Sequence, residues 1–592
     1  MLHALRDHGR GLGGEPGFRV REIRWCIDIS SDGRFLGVIP LGDGKHGQST
    51  ERCPHMHAME AGGKAHFLVE SAQFVALLCK GDEDEPKLQA LRQRHAFYRH
   101  MISVAAREVP LLEPVAAALG DDSELARIRD ALSAARAKPP DWLTWRVNGF
   151  DPRSAEAVQL WWRTWRTNDL NGAEATDKTP KQIRPVASMV CMLSGQVTAP
   201  LATHPKITGL VAVGGLPMGD ALISFDKTKR AFSSYGLEQS ANAAMNEVQA
   251  QQYIDGLNDL VRNHSRRMAT ALVAHWFKDK LADADDPFAL LYGLESDQQT
   301  AVSAQYMARQ LLDAIRGGQR ADLSGNRFYA ITLSGASGRV MVRDWMEGSF
   351  EQLVRNVEAW FEDMCIVARE GNTNARDPKF LAVCGALVLE LKDLPGSTAN
   401  SLWRSAAFGQ PIPTALMAQA LARFRSSLLK DDSFNHARMG LIKAYFIRKP
   451  NGGDIHMKPA VNPEHPSPAY HSGRLLAVLA GLQRAALGDV GAGVVQRFYA
   501  AASQTPGLII GRLVSNARNH LGKLDGGLAW WYEERIAEIM TRLGDGAPRT
   551  LNLEGQGLFA LGYYQQLAAL RAGNKGGIPD AATNNQQGGS TT

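Results

Sequence analysis

Ile23-Arg-Trp-Cys-Ile-Asp-Ile29, Ser30-Ser-Asp-Gly33 and Phe35-Leu-Gly-Val-Ile39 read together as two strands and a turn. Apolar and polar residues alternate on the first arm. An Asp-Gly pair between two apolar runs is a strong hairpin signal, because Gly tolerates the positive φ that a tight turn requires. The far end of the chain has a different period. Leu475, Leu479, Leu482 and Ala486 fall at i, i+4, i+7 and i+11, one stripe along a helix. A chain that opens in strands and closes in helices belongs to the α+β class. The expected organisation is a mixed α/β N-terminal region (1–166), a mixed α/β middle region (185–395) and an all-α C-terminal bundle (398–571).

Outward from the hairpin, a loop rich in Gly, His and Pro runs from Gly42 to Gly63, and a helix is expected from Phe67. Residues 83–137 read as helical. Trp161 and Trp165 share one helical face, which assigns them with Trp162 to a core rather than to a stacking platform. The stretch 167–184, with its polar run, marks a domain boundary or an exposed connection. In the middle region short strands such as Phe328–Leu333 and Val340–Val342 mix with helices expected at 245–280 and 350–366. The first of these would place Arg262, Arg266 and Arg267 on adjacent helical turns. Thr505-Pro506 starts a further helix with Pro at N1, Gly526-Gly527 ends it, and a last helix runs over 554–571. The Gly/Asn/Gln-rich tail 572–592 has the composition of a disordered segment.

A length of 592 residues is enough for several cores. With 44% apolar and 21% charged residues, the composition is that of an ordinary soluble protein. No run of eighteen apolar residues occurs and the N-terminus lacks signal-peptide architecture, so the expected location is the cytoplasm, with no membrane partner. Cys26, Cys53, Cys79, Cys191, Cys365 and Cys384 form no Cys-x-x-Cys pair, which favours reduced thiols over a disulfide framework. A net charge of +5 permits nucleic-acid binding without demanding it.

Sequence motifs for catalysis are weak. Gly42-Asp-Gly44-Lys-His-Gly47 matches the dinucleotide fingerprint in letters, yet no helix-forming pattern follows to aim an N-terminus at a pyrophosphate. Gly62-Gly63-Lys64 lacks the Ser/Thr and the upstream Gly of a P-loop. Cys53, His55, His57 and His66 do not show the paired spacing of a structural zinc site. No catalytic residue, metal site or cofactor is expected.

Several ordered blocks nevertheless resemble one family. They are Cys191–Pro200, His204-Pro-Lys206-Ile207, Val213-Gly-Gly-Leu-Pro-Met-Gly219, Leu222–Phe225 and Ala231–Glu247, then Phe328–Ser334, Arg339-Val-Met-Val-Arg-Asp344-Trp345 and Asn462–Tyr470. Their succession resembles the large subunit of the type I-C CRISPR Cascade effector over about residues 1–571. The resemblance implies a non-enzymatic subunit that recognises the short motif beside the target (the PAM), promotes duplex opening, stabilises the displaced strand and helps recruit a helicase-nuclease. In such systems base pairing with a guide RNA supplies sequence specificity. The implied partners are the guide RNA-bearing backbone subunits, small helical subunits, double-stranded target DNA with its displaced single strand, and the helicase-nuclease. A scaffold without direct DNA contact is the alternative.

The family's PAM-reading loop and helix align with Gly62, Gly63, Lys64, Ser71 and Gln73. Ser71 and Gln73 stand where Asn and Lys are more usual, which leaves the preferred bases open. Glycines admit a groove close to the backbone, and Lys64 can meet a phosphate or base edge. Lys206, Lys227, Lys229, Arg230, Arg262 and Arg266 are candidate backbone contacts for the displaced strand. A solvated surface is the competing reading for each. The resemblance also implies a small subunit translated from within the gene. Met457 is a candidate start, because Gly452-Gly453 codons can encode a ribosome-binding sequence, and 457–592 would be the product.

Overall fold

The Asp32-Gly33 turn closes the expected hairpin. The computed structural model describes residues 1–43, 46–56, 63–81, 83–170, 188–225, 237, 239–268, 270–293, 304–428, 435–450, 452–488 and 493–573. The chain divides into two compact units, Met1–Ile207 with Ala221–Asp259 and Thr208–Asp220 with Leu260–Thr592.

In the first unit β1 (Phe18–Ile23) leads into β2 (Trp25–Ile29) and β3 (Phe35–Pro40), then β4 (Gln48–Pro54), β5 (Glu70–Ser71) and β6 (Trp142–Val147). β2 and β3 pair antiparallel, from Trp25 opposite Pro40 to Ile29 opposite Phe35, and β6 runs parallel to β2 on its other side. β5 closes the sheet antiparallel to β6, while β1 and β4 form a separate two-stranded ribbon. Helices Glu85–Glu108, Glu113–Gly120 and Asp122–Ala134 occupy the stretch read as helical. Asp84 and Asp121 cap the first and third through their carboxylates. Tyr98, Met101, Val115 and Ile128 join Ile27, Leu143 and Trp145 in one core, and the Trp145 indole donates to the Tyr98 hydroxyl at 2.8 Å inside it. Trp161, Trp162 and Trp165 on helix Glu156–Leu170 are core residues, as expected. Trp162 stacks on Phe67 with ring centres 5.4 Å apart, and its N–H donates to the Gly17 carbonyl. Arg166 forms a two-pronged ion pair with Glu247 on helix Glu247–Asn263. A short hairpin of β7 (Met189–Val190) and β8 (Val197–Thr198) completes the strands of this unit.

Two expected helices are corrected. Phe67 does not begin one: Phe67–Val69 is a tight bend in which Leu68 adopts φ +58° and the Val69 N–H donates to the Phe67 carbonyl at 2.6 Å, and only a single turn, Ala72–Val75, is helical. The backbone N–H groups of Ala72 and Gln73 are taken by the carbonyls of Asp141 and Pro139, which a local period cannot reveal. The helix expected over 245–280 ends at Asn263. Beyond it lie β9 (Ser265–Met268) and β10 (Ala271–Phe277), so Arg266 and Arg267 are strand residues. Ala271-Leu-Val-Ala-His-Trp-Phe277 is apolar on both faces because β10 is an inner strand, and a short continuous apolar run has no period that separates strand from helix.

In the second unit β10 pairs with β11 (Arg327–Ala336), and β11 with β12 (Arg339–Ser349), giving the antiparallel order β12-β11-β10-β9. Met268, Val273, Phe328, Ala330 and Met346 pack with Phe288, Leu353, Val357 and Trp403 in an apolar cluster that continues unbroken to Leu570. From Phe350 the named elements are all helical, so the fold is α+β with sheets in the N-terminal and middle regions. Helix Pro468–Leu487 is the axis of the C-terminal part, packed by Val494–Ala502, Pro506–Leu521, Gly526–Leu543 and Leu553–Gly573. It crosses Leu553–Gly573 so closely that a Cβ on Gly473 would lie 2.0 Å from the Phe559 carbonyl oxygen, and one on Gly562 2.1 Å from that of Tyr470. The buried Arg474 guanidinium donates to Glu538 at 2.8 and 3.1 Å and to Gln566 at 2.9 Å. Tyr470, Gln565 and the Asn462 N–H form a second buried polar contact. These partners all lie C-terminal to Met457. Residues 167–170 of the expected connection are the last of helix Glu156–Leu170, while 171–184 of it and residues 574–592 of the tail lie outside the described residues.

Candidate nucleic-acid interface

The family-aligned loop is anchored on the edge of the N-terminal sheet. Gly62 lies outside the described residues. Gly63 takes φ +74° with open space where a Cβ would stand, a conformation that glycine adopts without strain. Lys64 is half-buried. Ser71 is only 5% exposed and sits in register opposite Trp142. Half-buried Gln73 donates its side-chain N–H to the Ser71 hydroxyl at 3.4 Å. The buried Glu70 carboxylate accepts the backbone N–H groups of His66 at 2.8 Å and Ser71 at 2.7 Å, tying the two ends of the bent segment together. Burial pushes the Glu70 carboxyl above its usual range despite these two bonds. Gly63, Lys64, Ser71 and Gln73 thus share one short, braced segment.

Beside this segment the fold assembles a group that no single motif displays. Arg21 on β1 lays its guanidinium 4.3 Å from the centre of the Trp142 ring and hydrogen-bonds His55 Nδ1 at 3.1 Å. His55 and His66 stack with ring centres 4.6 Å apart, and His66 tilts against Trp142 at 5.5 Å. His66 Nδ1 accepts the Met56 backbone N–H at 2.9 Å. Burial, reinforced by Arg21 and Arg19, lowers His66 to about 3 and holds His55 well below the ordinary imidazole value. Both rings are therefore neutral near pH 7. Cys53, the third residue of the metal reading, is buried; Arg153 donates to its sulfur at 3.4 Å, while burial holds the thiol above its usual range. His57 lies outside the described residues. The one-dimensional sign of this cluster was the alternation Arg19-Val-Arg21-Glu-Ile-Arg24 on a strand, with Trp142 following Pro139-Pro140.

The candidate backbone contacts are distributed over both units. Lys206 is exposed in the first unit; Lys227, Lys229 and Arg230 lie outside the described residues. In the second unit Arg262 is exposed in the last turn of its helix, and exposed Arg266 sits on β9 with its guanidinium 4.6 Å from the centre of the Tyr292 ring. Asn242, read as part of a structural knot, donates to the Gln239 carbonyl at 2.9 Å and the Leu237 carbonyl at 3.5 Å. Among the described residues no helix is long and apolar enough to cross a membrane.

With the geometry in place, the comparison with known families carries the identification. No curated protein matches the chain. The family model of the CRISPR-associated protein Cas_Csd1 matches residues 4–571. A match over nearly the whole chain shows the family: this protein belongs to the CRISPR-associated Cas_Csd1 family, a Cascade large-subunit family.

Proposed function

We propose that this chain is the large subunit of a type I-C surveillance complex that recognises the PAM, promotes duplex opening, stabilises the displaced strand and helps recruit the helicase-nuclease. The observation that supports the reading most directly is the braced segment Gly63–Gln73, aligned with the family's PAM-reading loop and set against the cationic Arg21–Trp142 group. Lys64 and Gln73 are the side chains with reach, whereas buried Ser71 acts by holding Gln73. Specificity for the target then resides in guide pairing, and this subunit supplies the test of the flanking motif. The partners are the backbone subunits carrying the guide RNA, small helical subunits, the target duplex with its displaced strand, and the helicase-nuclease. The role is non-enzymatic and cytoplasmic, with no cofactor.

The domain reading carried with it is 1–166 for DNA recognition, 185–395 for the middle region, 398–571 for the helical part and 572–592 for the tail, with 457–592, which begins inside the helical part and includes the tail, also made separately. The test is DNA binding by the assembled complex, with and without this chain, on targets differing only in the flanking motif. Motif discrimination that depends on the chain supports the reading. Discrimination that survives its removal leaves a scaffold role and refutes the proposal.

A further inference from the structure

A cavity of about 360 Å³ in the first unit is walled by Val20, Arg21, Glu22, Arg24, Pro140, Asp141 and Trp142. Its two carboxylates are already engaged. Asp141 accepts the Trp25 indole N–H at 3.1 Å and the Lys138 backbone N–H at 2.9 Å, and faces Arg24 at 3.5 Å. Glu22 accepts the Gly47 backbone N–H at 2.6 Å and has His46 at 3.7 Å. Arg21 differs from its neighbours. Among the described residues its guanidinium has one hydrogen-bond partner, the neutral His55 ring, and no carboxylate in ion-pair contact. With no ion-pair partner among those residues, the half-buried Arg21 guanidinium feels the buried Glu70 carboxylate only as an attraction from beyond ion-pair contact, so burial, together with repulsion from Arg19, still lowers its affinity for the proton. Trp142 fixes the plane of the guanidinium, so the fork of N–H groups not bonded to His55 is held ready beside the cavity.

We propose that this cavity is a phosphate site, in which Arg21, held by Trp142 and His55, grips one backbone phosphate of the target DNA next to the Gly63–Gln73 segment. The proposal rests on the DNA-binding reading above and adds to it a contact that positions the duplex rather than reading bases. Planar recognition of a phosphate by a pre-oriented guanidinium is bidentate, and Trp142 has already restricted the rotamers that binding would otherwise have to order.

The test compares assembled complexes carrying the native chain or Arg21→Gln on duplexes in which single phosphates are replaced, one at a time, by neutral methylphosphonates. Loss of one charged phosphate contact should weaken binding roughly ten- to a hundredfold and lower the slope of log K against log salt by about 0.9. One methylphosphonate position should penalise the native complex and leave Arg21→Gln unaffected. Equal salt slopes, or the same penalised positions in both complexes, overturn the phosphate site while leaving the DNA-binding reading intact. A native complex whose DNA binding does not depend on this chain overturns both. If Arg21→Gln fails to fold, Arg21→Lys replaces it: the cation keeps the slope while the penalty at that one position shrinks, and an undiminished penalty refutes the proposal.

Discussion

Replacing Gly562 by Ala should destabilise the helical part of the second unit, against the usual gain of Gly→Ala in a helix. The added Cβ would stand 2.1 Å from the Tyr470 carbonyl oxygen, 2.9 Å from its carbon and 3.3 Å from its Cα. All three are backbone atoms, so no rotamer change relieves the clash, and the two helices must part by about 1 Å to reach ordinary contact distance. That displacement strains the Tyr470–Gln565 and Arg474–Gln566 contacts across the same crossing. Overpacking of this kind costs about 1–3 kcal/mol or more, offset by the roughly 1 kcal/mol by which Ala exceeds Gly as a helix former. A net loss of up to about 2 kcal/mol lowers the melting temperature of a unit of this size by up to roughly 3 °C. Gly511 supplies the control: it lies on an exposed helical position with nothing within 4 Å of a Cβ, so Gly511→Ala should raise stability by up to about 1 kcal/mol. Calorimetry on the full chain and both variants reads the sign. If Gly562→Ala melts higher than the parent, as Gly511→Ala should, the close crossing is not what holds these helices.

Lys64→Ala and Gln73→Ala should each weaken target binding by about 1–3 kcal/mol, the worth of one good base contact, and the loss should shrink on a duplex already melted beside the motif; equal losses on both substrates would count against motif reading. Acid should destabilise the first unit. His66 at about 3 and His204 at about 4 lie below the unfolded imidazole value, so the unfolded chain takes up protons first and stability falls as pH drops from about 6.5. The urea midpoint of that unit should therefore be lower at pH 5.5 than at pH 7, and a higher midpoint would contradict the burial described for these rings. Synonymous recoding of Gly452 and Gly453 together with Met457→Leu should remove a small product of 457–592 while leaving the full-length chain, and a strain lacking that product before recoding refutes the internal start. The Arg474–Glu538–Gln566 network closes within 457–573, which supports a piece able to keep its own polar core.

What was legible in one dimension was what neighbours along the chain enforce. The Asp32-Gly33 turn, the capped helices of 85–134, the core role of Trp161, Trp162 and Trp165, and the stripe of Leu475, Leu479 and Leu482 are set by turn chemistry, capping and period, each acting within a few residues. The α+β class follows from their order, and the family from the succession of blocks along the chain. Tertiary structure decided the rest, where distant segments outvote local preference. Phe67–Val69 bends instead of opening a helix because carbonyls near residue 140 take the N–H groups that a helix would have spent on itself. The run 271–277 became an inner strand because sheet neighbours cover both its faces, an outcome that leaves no alternation to read. Arg21, His55, His66 and Trp142 are spread over more than a hundred residues, and only the pairing of β1 with β4 and of β5 with β6 brings them within contact. A strand pattern can display an arginine; whether that arginine has an anion beside it depends on which carboxylates the fold has already bonded elsewhere.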